Sequence, residues 1–415
     1  MNKYFELIIL IAVLGFVAIA KTSEKHEPAY VLMISFDGFR HDYVEKYDAP
    51  HFKAFIEKGA KAEALTPSFP SKTFPNHYSL VTGMYPGNHG LVDNSFYDEE
   101  LDVVYRASKR ELVENPAFYG GLPLWQLTQQ NGMKSASYFW VGSEAPVAGS
   151  FPDYYYIYDG SVSNEARIDE VVRWLNLPEE DRPHFISLYF SLVDSQGHAT
   201  GPDSPETGEA VLEADRLLGL LMAQIESIDL PINVVITSDH GMNTVPTKEE
   251  TLINVDSLFS GFDRSQFRVV NNGAHAHVYV DDEALKEELF SSLQNQATHF
   301  RVYKKEQFPQ QWHYEHKRIG ELLITMDPGH YLVSRGQRIG LLLRGKATGQ
   351  HGFDPASTPD MGGIFYAKGP NIKSNQVLPP IENVHVYPFV AHLMGIDKLP
   401  QIDGNLKVLK SIYKE

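Results

Sequence analysis

Apolar residues fall along this chain in short unbroken runs, separated by stretches in which they recur every three or four positions. Residues 31–36 (VLMISF) are apolar on both faces, rich in strand formers, and stop at Asp37-Gly38. That is the pattern of a strand buried on both sides of a parallel sheet. Residues 185–193 (FISLYFSLV), 232–237 (INVVIT) and the shorter 363–367 read the same way. Helical periodicity fills the intervals, notably over 165–175 and 206–225. Strands alternating with helices predict an α/β fold built on a doubly wound sheet. Residues 252–343 differ in texture, with a strand at 274–280 (AHAHVYV), an amphipathic helix at 282–294 and strands at 300–303 and 321–325. This βαββ order predicts a small inserted α+β module, leaving 31–251 and 344–415 as one discontinuous domain.

The N-terminus changes the picture of where the chain works. Its first residues, MNKYFELIILIAVLGFVAIA, carry Lys3, an apolar run from Leu7 to Val17, and Ala18-Ile19-Ala20. This predicts a secretory signal peptide over 1–20, cut after Ala20 and followed by a polar linker over 21–30. An uncleaved anchor is the alternative, and the shortness of the apolar run counts against it. The expected product is exported, periplasmic or secreted, with no stable membrane insertion after cleavage. There are no cysteines, so disulfides, thiolate metal sites and a Cys nucleophile are excluded. Lys plus Arg number 36 against 53 Asp plus Glu, a net charge of −17. No nucleic-acid polymer is expected as a partner, and a small anionic substrate needs local cations.

Polar residues stand where the apolar runs end. They are Asp37 in SFDGFR, Asp194 and His198 in LVDSQGHATGP, Asp239 and His240 in TSDHGM, and His351 in GQHGFD. Taken singly, Asp37-Gly38 and Asp239-His240-Gly241 read as turns. Together they are ligand types that zinc accepts without thiolates, and open α/β sheets place ligand sites off the carboxyl ends of their strands. Gly197 lies between Asp194 and His198 and argues against a helix there. A further stretch, FPSKTFPNHYSLVTG (69–83), sets Thr73 two residues before Pro75 and ends on Gly83. By itself this reads as a helix with Thr73 as its cap.

In order and spacing, SFDGFR, FPSKTFPNHYSLVTGMYPGNHG, DNSFYD, YFSLVDSQGHATGP, TSDHGM and QHGFD resemble the nucleotide pyrophosphatase/phosphodiesterase branch of the alkaline phosphatase superfamily. The resemblance implies an alkaline-phosphatase-like fold, two zinc ions and a Thr nucleophile. One zinc would be held by Asp194, His198 and His351, the other by Asp37, Asp239 and His240, with Thr73 coordinated to the second. Asn94 would bind a non-bridging phosphate oxygen together with the backbone N–H of the nucleophile. Phe74, Tyr158 and Tyr189 align with aromatic residues of the substrate pocket. Many relatives carry Glu-Pro before the first-zinc Asp, where this chain has Leu192-Val193, which should still fit a strand end.

Physical chemistry supports the same roles. A Thr hydroxyl is a weak nucleophile at neutral pH and needs metal or base activation. Two zinc ions about 4 Å apart would stabilise the attacking and leaving oxygens of an in-line displacement. A monoester dianion calls for a strong cation over its extra oxygens, whereas the neutral Asn94 suits a diester or pyrophosphate. The expected reaction is hydrolysis of nucleotide phosphodiester or pyrophosphate bonds through phosphothreonine at Thr73, releasing a nucleoside 5′-monophosphate. A phospholipid-headgroup phosphodiesterase, a phosphonate hydrolase and a non-enzymatic exported metal-binding protein are the alternatives.

Overall fold

The computed structural model describes residues 29–414. The expected signal peptide and residues 21–28 of the linker lie outside them. The central sheet has eight strands in the order Gln376–Leu378, Ala60–Ala62, Phe365–Lys368, Ile232–Thr237, Tyr30–Phe36, Pro183–Phe190, Lys134–Tyr138, Tyr154–Tyr156. Tyr30–Phe36 is parallel to both neighbours, with Ser35 opposite Thr237 on one side and Tyr189 on the other. That register brings three strand ends level, so the residues just beyond them share one rim.

Alternation along the first strand sorts the core. Leu32, Ile34 and Phe36 face one layer, packing with Trp174 of the helix Asn164–Leu175 and Leu217 and Leu218 of the helix Pro205–Ile225. Val31 and Met33 face the other, with Tyr78, Leu80 and Val81 of the helix Thr73–Thr82 and Phe389 and Val390 of the helix Val386–Leu393. Burying each such side chain contributes about 1.5–3 kcal/mol. Ser163 and Ser204 cap their helices by accepting the N–H of Ala166 and Thr207. Both helices fall within a residue of the predicted positions.

The fourth apolar run departs from the parallel pattern. Phe365–Lys368 is antiparallel to both Ile232–Thr237 and Ala60–Ala62, making the sheet mixed. The chain enters it from the loop beyond His351, at the rim rather than from a crossover helix. Phe190 ends the Pro183–Phe190 strand, and Leu192-Val193 open the helix Leu192–Thr200 instead of extending the strand. Val193 stays buried by packing into the layer of Phe36 and Phe190.

Within 252–343 a separate four-stranded antiparallel sheet runs in the order Arg268–Asn271, His275–Tyr279, Leu322–Met326, Phe300–Lys304. The helix Glu283–Gln296, capped by Asp282, buries Leu289 and Leu293 in its core. The strand Arg268–Asn271 and the exposed helix Arg335–Arg344 were not among the expected elements.

Candidate active site

Asp37 follows the first strand directly and Asp239 lies two residues past Thr237, so both emerge on the common rim. Between them Gly38 turns at φ +67°, and a Cβ there would lie 2.9 Å from Asp194 Cα. Only glycine lets the turn sit against Asp194, and its N–H donates to Asp239 Oδ1 at 3.1 Å.

Asp194 and His198 do sit on a helix, Leu192–Thr200, one turn apart, contrary to the expectation drawn from Gly197. The cost of an interior glycine, about 1 kcal/mol, is outweighed by close packing. Gly197 lies against Met242, and its carbonyl faces Gly349 so closely that a Cβ at 349 would come within 2.4 Å.

The six expected ligands converge. His198 Nε2 is 3.4 Å and His351 Nε2 3.9 Å from Asp194 Oδ1, and the two imidazole nitrogens are 3.2 Å apart. His240 Nε2 lies 3.0 Å from Asp239 Oδ2 and 3.7 Å from Asp37 Oδ1. The rings of His240 and His351 stack at 3.6 Å, which joins the two groups.

This cluster fits bound cations. Asp37 Oδ1, Asp194 Oδ1 and Asp239 Oδ2 are buried without a hydrogen-bond partner, a costly state for carboxylates. Each imidazole donates from Nδ1 to a main-chain carbonyl: His198 to Gly349 at 2.8 Å, His240 to Gly241 at 2.8 Å, His351 to Ser71 at 3.0 Å. With Nδ1 committed to those carbonyls, Nε2 of each ring faces inward, and those of His198 and His351 lie 3.2 Å apart, an arrangement that calls for a shared cation. Burial, then the charges of Asp239 and Asp194, push the Asp37 carboxyl well above its usual range. Burial also acts on Asp239, but His240 and His77 outweigh it and hold that carboxyl low. Burial and the nearby His240 and Lys72 depress His351.

Thr73 is not the helix cap. Lys72 occupies that position in extended conformation, Thr73 is the first helical residue, and Gly83 closes the helix in the left-handed region at φ 66°. The Thr73 hydroxyl instead lies 3.2 Å from His240 Nε2, at the helix N-terminus. Asn94 Oδ1 accepts the Phe74 N–H at 2.9 Å, leaving its amide Nδ2 as the remaining donor beside Thr73.

Phe74, Tyr158 and Tyr189 line one cavity of about 430 Å³ that opens on Thr73, with Phe139 and Trp140 among the other walls. Tyr189 also donates to Asp37 Oδ2 at 2.6 Å. Neither of the two basic residues nearest the motifs in sequence lines this cavity. Arg40 is paired with Asp42 and Asp203, and Lys72 lays its stem over Gly352 and its ammonium 5.9 Å from the Tyr331 ring.

A family model for type I phosphodiesterase/nucleotide pyrophosphatase matches residues 31–354. The chain belongs to this phosphodiesterase family. Mouse ectonucleotide pyrophosphatase/phosphodiesterase family member 1 is 34% identical over 399 residues, 92% of this chain and 42% of the relative. The venom phosphodiesterase of Macrovipera lebetinus is 32% identical over 388 residues, 90% of this chain and 44% of the relative. The chain thus spans less than half the length of these two relatives. Human family member 5 is 32% identical over 373 residues, 89% of this chain and 75% of the relative. The solved structure of murine family member 5 matches with a TM-score of 0.85 at 29% identity, covering 93% of this chain and 100% of that one. A second structure of that murine protein, an inactive threonine-to-alanine form in complex with AMP, matches with the same TM-score.

For this phosphodiesterase-family chain, sequence reasoning missed three site residues. His77 lies one helical turn after Thr73, with Nδ1 3.0 Å from Thr73 O and 3.3 Å from Asp239 Oδ2, and Nε2 2.8 Å from Ser35 Oγ. Its i, i+4 spacing from Thr73 was the available signal. Arg110 and Glu144 pin Tyr158: Glu144 accepts its N–H at 2.8 Å and Arg110 donates to its carbonyl at 2.7 Å. Nothing in their local sequence marks them.

Proposed function

We propose that the protein is a zinc-dependent hydrolase of nucleotide phosphodiester and pyrophosphate bonds that works through phosphothreonine at Thr73. The observation that carries this reading is the Thr73 hydroxyl, 3.2 Å from His240 Nε2 at a helix N-terminus, in a site with three carboxylates that each hold a buried oxygen without a hydrogen-bond partner.

Asp194, His198 and His351 would hold one zinc ion and Asp37, Asp239 and His240 the other. When bound, these ions supply the positive charge that makes a Thr alkoxide accessible at neutral pH and offsets charge on the transferring phosphoryl group. The chain's own groups do the rest. Thr73 Oγ1 attacks phosphorus, its proton leaves to solvent, and one alcohol or phosphate departs. Asn94 Nδ2 donates to a non-bridging oxygen, as does the Thr73 N–H, at the positive end of the helix dipole. Water then attacks the phosphorus of phosphothreonine and releases the nucleoside monophosphate, regenerating Thr73. An aromatic cavity of about 430 Å³ next to Thr73 suits a planar base, and stacking on Phe74 would add about 1–3 kcal/mol.

The lack of an unpaired cation among the side chains facing Thr73 in this cavity, apart from the half-exposed Arg110 held by Glu144, favours a diester over a monoester. The test compares bis(p-nitrophenyl) phosphate and p-nitrophenyl phosphate with wild-type protein and Thr73→Ala. The diester should be the faster substrate, and the variant should lose about 10³-fold or more of that activity. Full diesterase activity in Thr73→Ala would sink the mechanism. Faster turnover of choline diesters than of dinucleotides would move the substrate assignment to lipid headgroups.

A further inference from the structure

Asp93, His275 and His277 are fully buried, stand outside the proposed ligand set and take no part in the chemistry above. Alternation along His275–Tyr279 puts residues 275 and 277 on one face of the second sheet, and that face meets Asp93. His277 Nε2 lies 3.0 Å from Asp93 Oδ2, and His275 Nε2 bonds the same oxygen. Asp93 Oδ1 accepts the Asn94 N–H at 2.7 Å. At its other nitrogen, His275 Nδ1 is 3.2 Å from the carbonyl of Gly352, the residue after His351. His275 thus bridges the Asp93 carboxylate and the Gly352 carbonyl through its two ring nitrogens.

A carboxylate and two imidazoles could also enclose a cation, since their ligand atoms lie within 4.8 Å of one another. The hydrogen bonding argues otherwise. Both Asp93 oxygens have partners, whereas Asp37, Asp194 and Asp239 each leave one oxygen unpaired. Burial works to raise the Asp93 carboxyl, and the two imidazoles overcome it and hold it below the usual carboxylate range.

We propose that Asp93 and His275 are positioning residues, a buried clamp through which the second sheet holds Asn94 on one side and the His351 loop on the other. The inference rests on the reading that Asn94 donates to a substrate oxygen. Asn94 is then fixed at three points: its Oδ1 by Phe74, its N–H by Asp93, and its carbonyl by the Ala107 N–H at 2.8 Å. Displacing such a donor by about 1 Å costs on the order of 10²-fold in rate.

Two substitutions divide the clamp. His275→Asn keeps a donor near the Nδ1 position and loses the Asp93 contact, while His275→Gln keeps a donor near Nε2 and loses the Gly352 contact. His275→Asn should lower kcat/KM for bis(p-nitrophenyl) phosphate about 10–100-fold, mainly in kcat, with zinc content unchanged. His275→Gln should instead weaken zinc retention against a chelator. In an Asn94→Ala background, His275→Asn should cost less than about 3-fold, because its effect runs through a group already removed. Asp93→Asn, which keeps the volume, should repeat this non-additivity and carries the test if His275→Asn does not fold. An equal loss in both backgrounds, no loss in the parent, or the same damage from both His275 variants would overturn the clamp. Failure of the diesterase reading would show separately, as wild-type protein without diesterase activity.

Discussion

Tyr189 shows how one residue can serve two parts of the site. Its ring walls the cavity while its hydroxyl donates to Asp37 Oδ2 at 2.6 Å. Tyr189→Phe keeps the wall and removes the donor, so zinc affinity should fall about 10–100-fold, as read by chelator competition. An unchanged affinity would mean that the hydroxyl does not support Asp37. The sequence marked Tyr189 only as a pocket aromatic, because its second role depends on Asp37 standing on the neighbouring strand. The gathering of Asp37, Asp194, His198, Asp239 and His240 was legible because they stand just beyond apolar runs that end abruptly, whereas His351 follows the polar stretch RGKATGQ and was marked by the family motif QHGFD. His77, Asp93 and His275 were not, since the carboxylate shared by His275 and His277 lies in a distant part of the chain. The alternation AHAHVYV did put both histidines on one face, but it named no partner for them.

At the scale of elements, local propensity failed where two segments pass unusually close. Gly197 argued against a helix, yet the helix Leu192–Thr200 forms there because the strand Thr348–Gln350 crosses it at Gly349. A Cβ at 349 would lie 2.4 Å from Gly197 O, so Gly349→Ala should force the two apart. The expected cost is about 1–3 kcal/mol in chemical denaturation. Because His198 Nδ1 donates to Gly349 O, zinc binding should weaken in parallel. A variant with native stability and zinc content would show that this crossing is slack. The major helices were legible to within a residue because their apolar stripes carry serine caps. The antiparallel Phe365–Lys368 strand was legible as a strand but not in direction, which depends on how the chain returns from the rim.

Across the whole molecule, three carboxylates and three imidazoles are gathered at one rim of a chain with net charge −17. Without cations, Asp37 sits against the like charges of Asp239 and Asp194. Chelation should therefore lower Tm, and free zinc at about 1,000 times its Kd should restore roughly 4 kcal/mol of stability. A Tm insensitive to chelator and zinc would refute the metal assignment without any activity measurement. The groups that orient the imidazoles of His198, His240 and His351 are main-chain carbonyls, of Gly349, Gly241 and Ser71. A carbonyl survives every point substitution, so no exchange of side chain deletes these acceptors. Saturation mutagenesis should accordingly find sharp loss at the ligands and at the glycines that set the chain path, and broad tolerance between them.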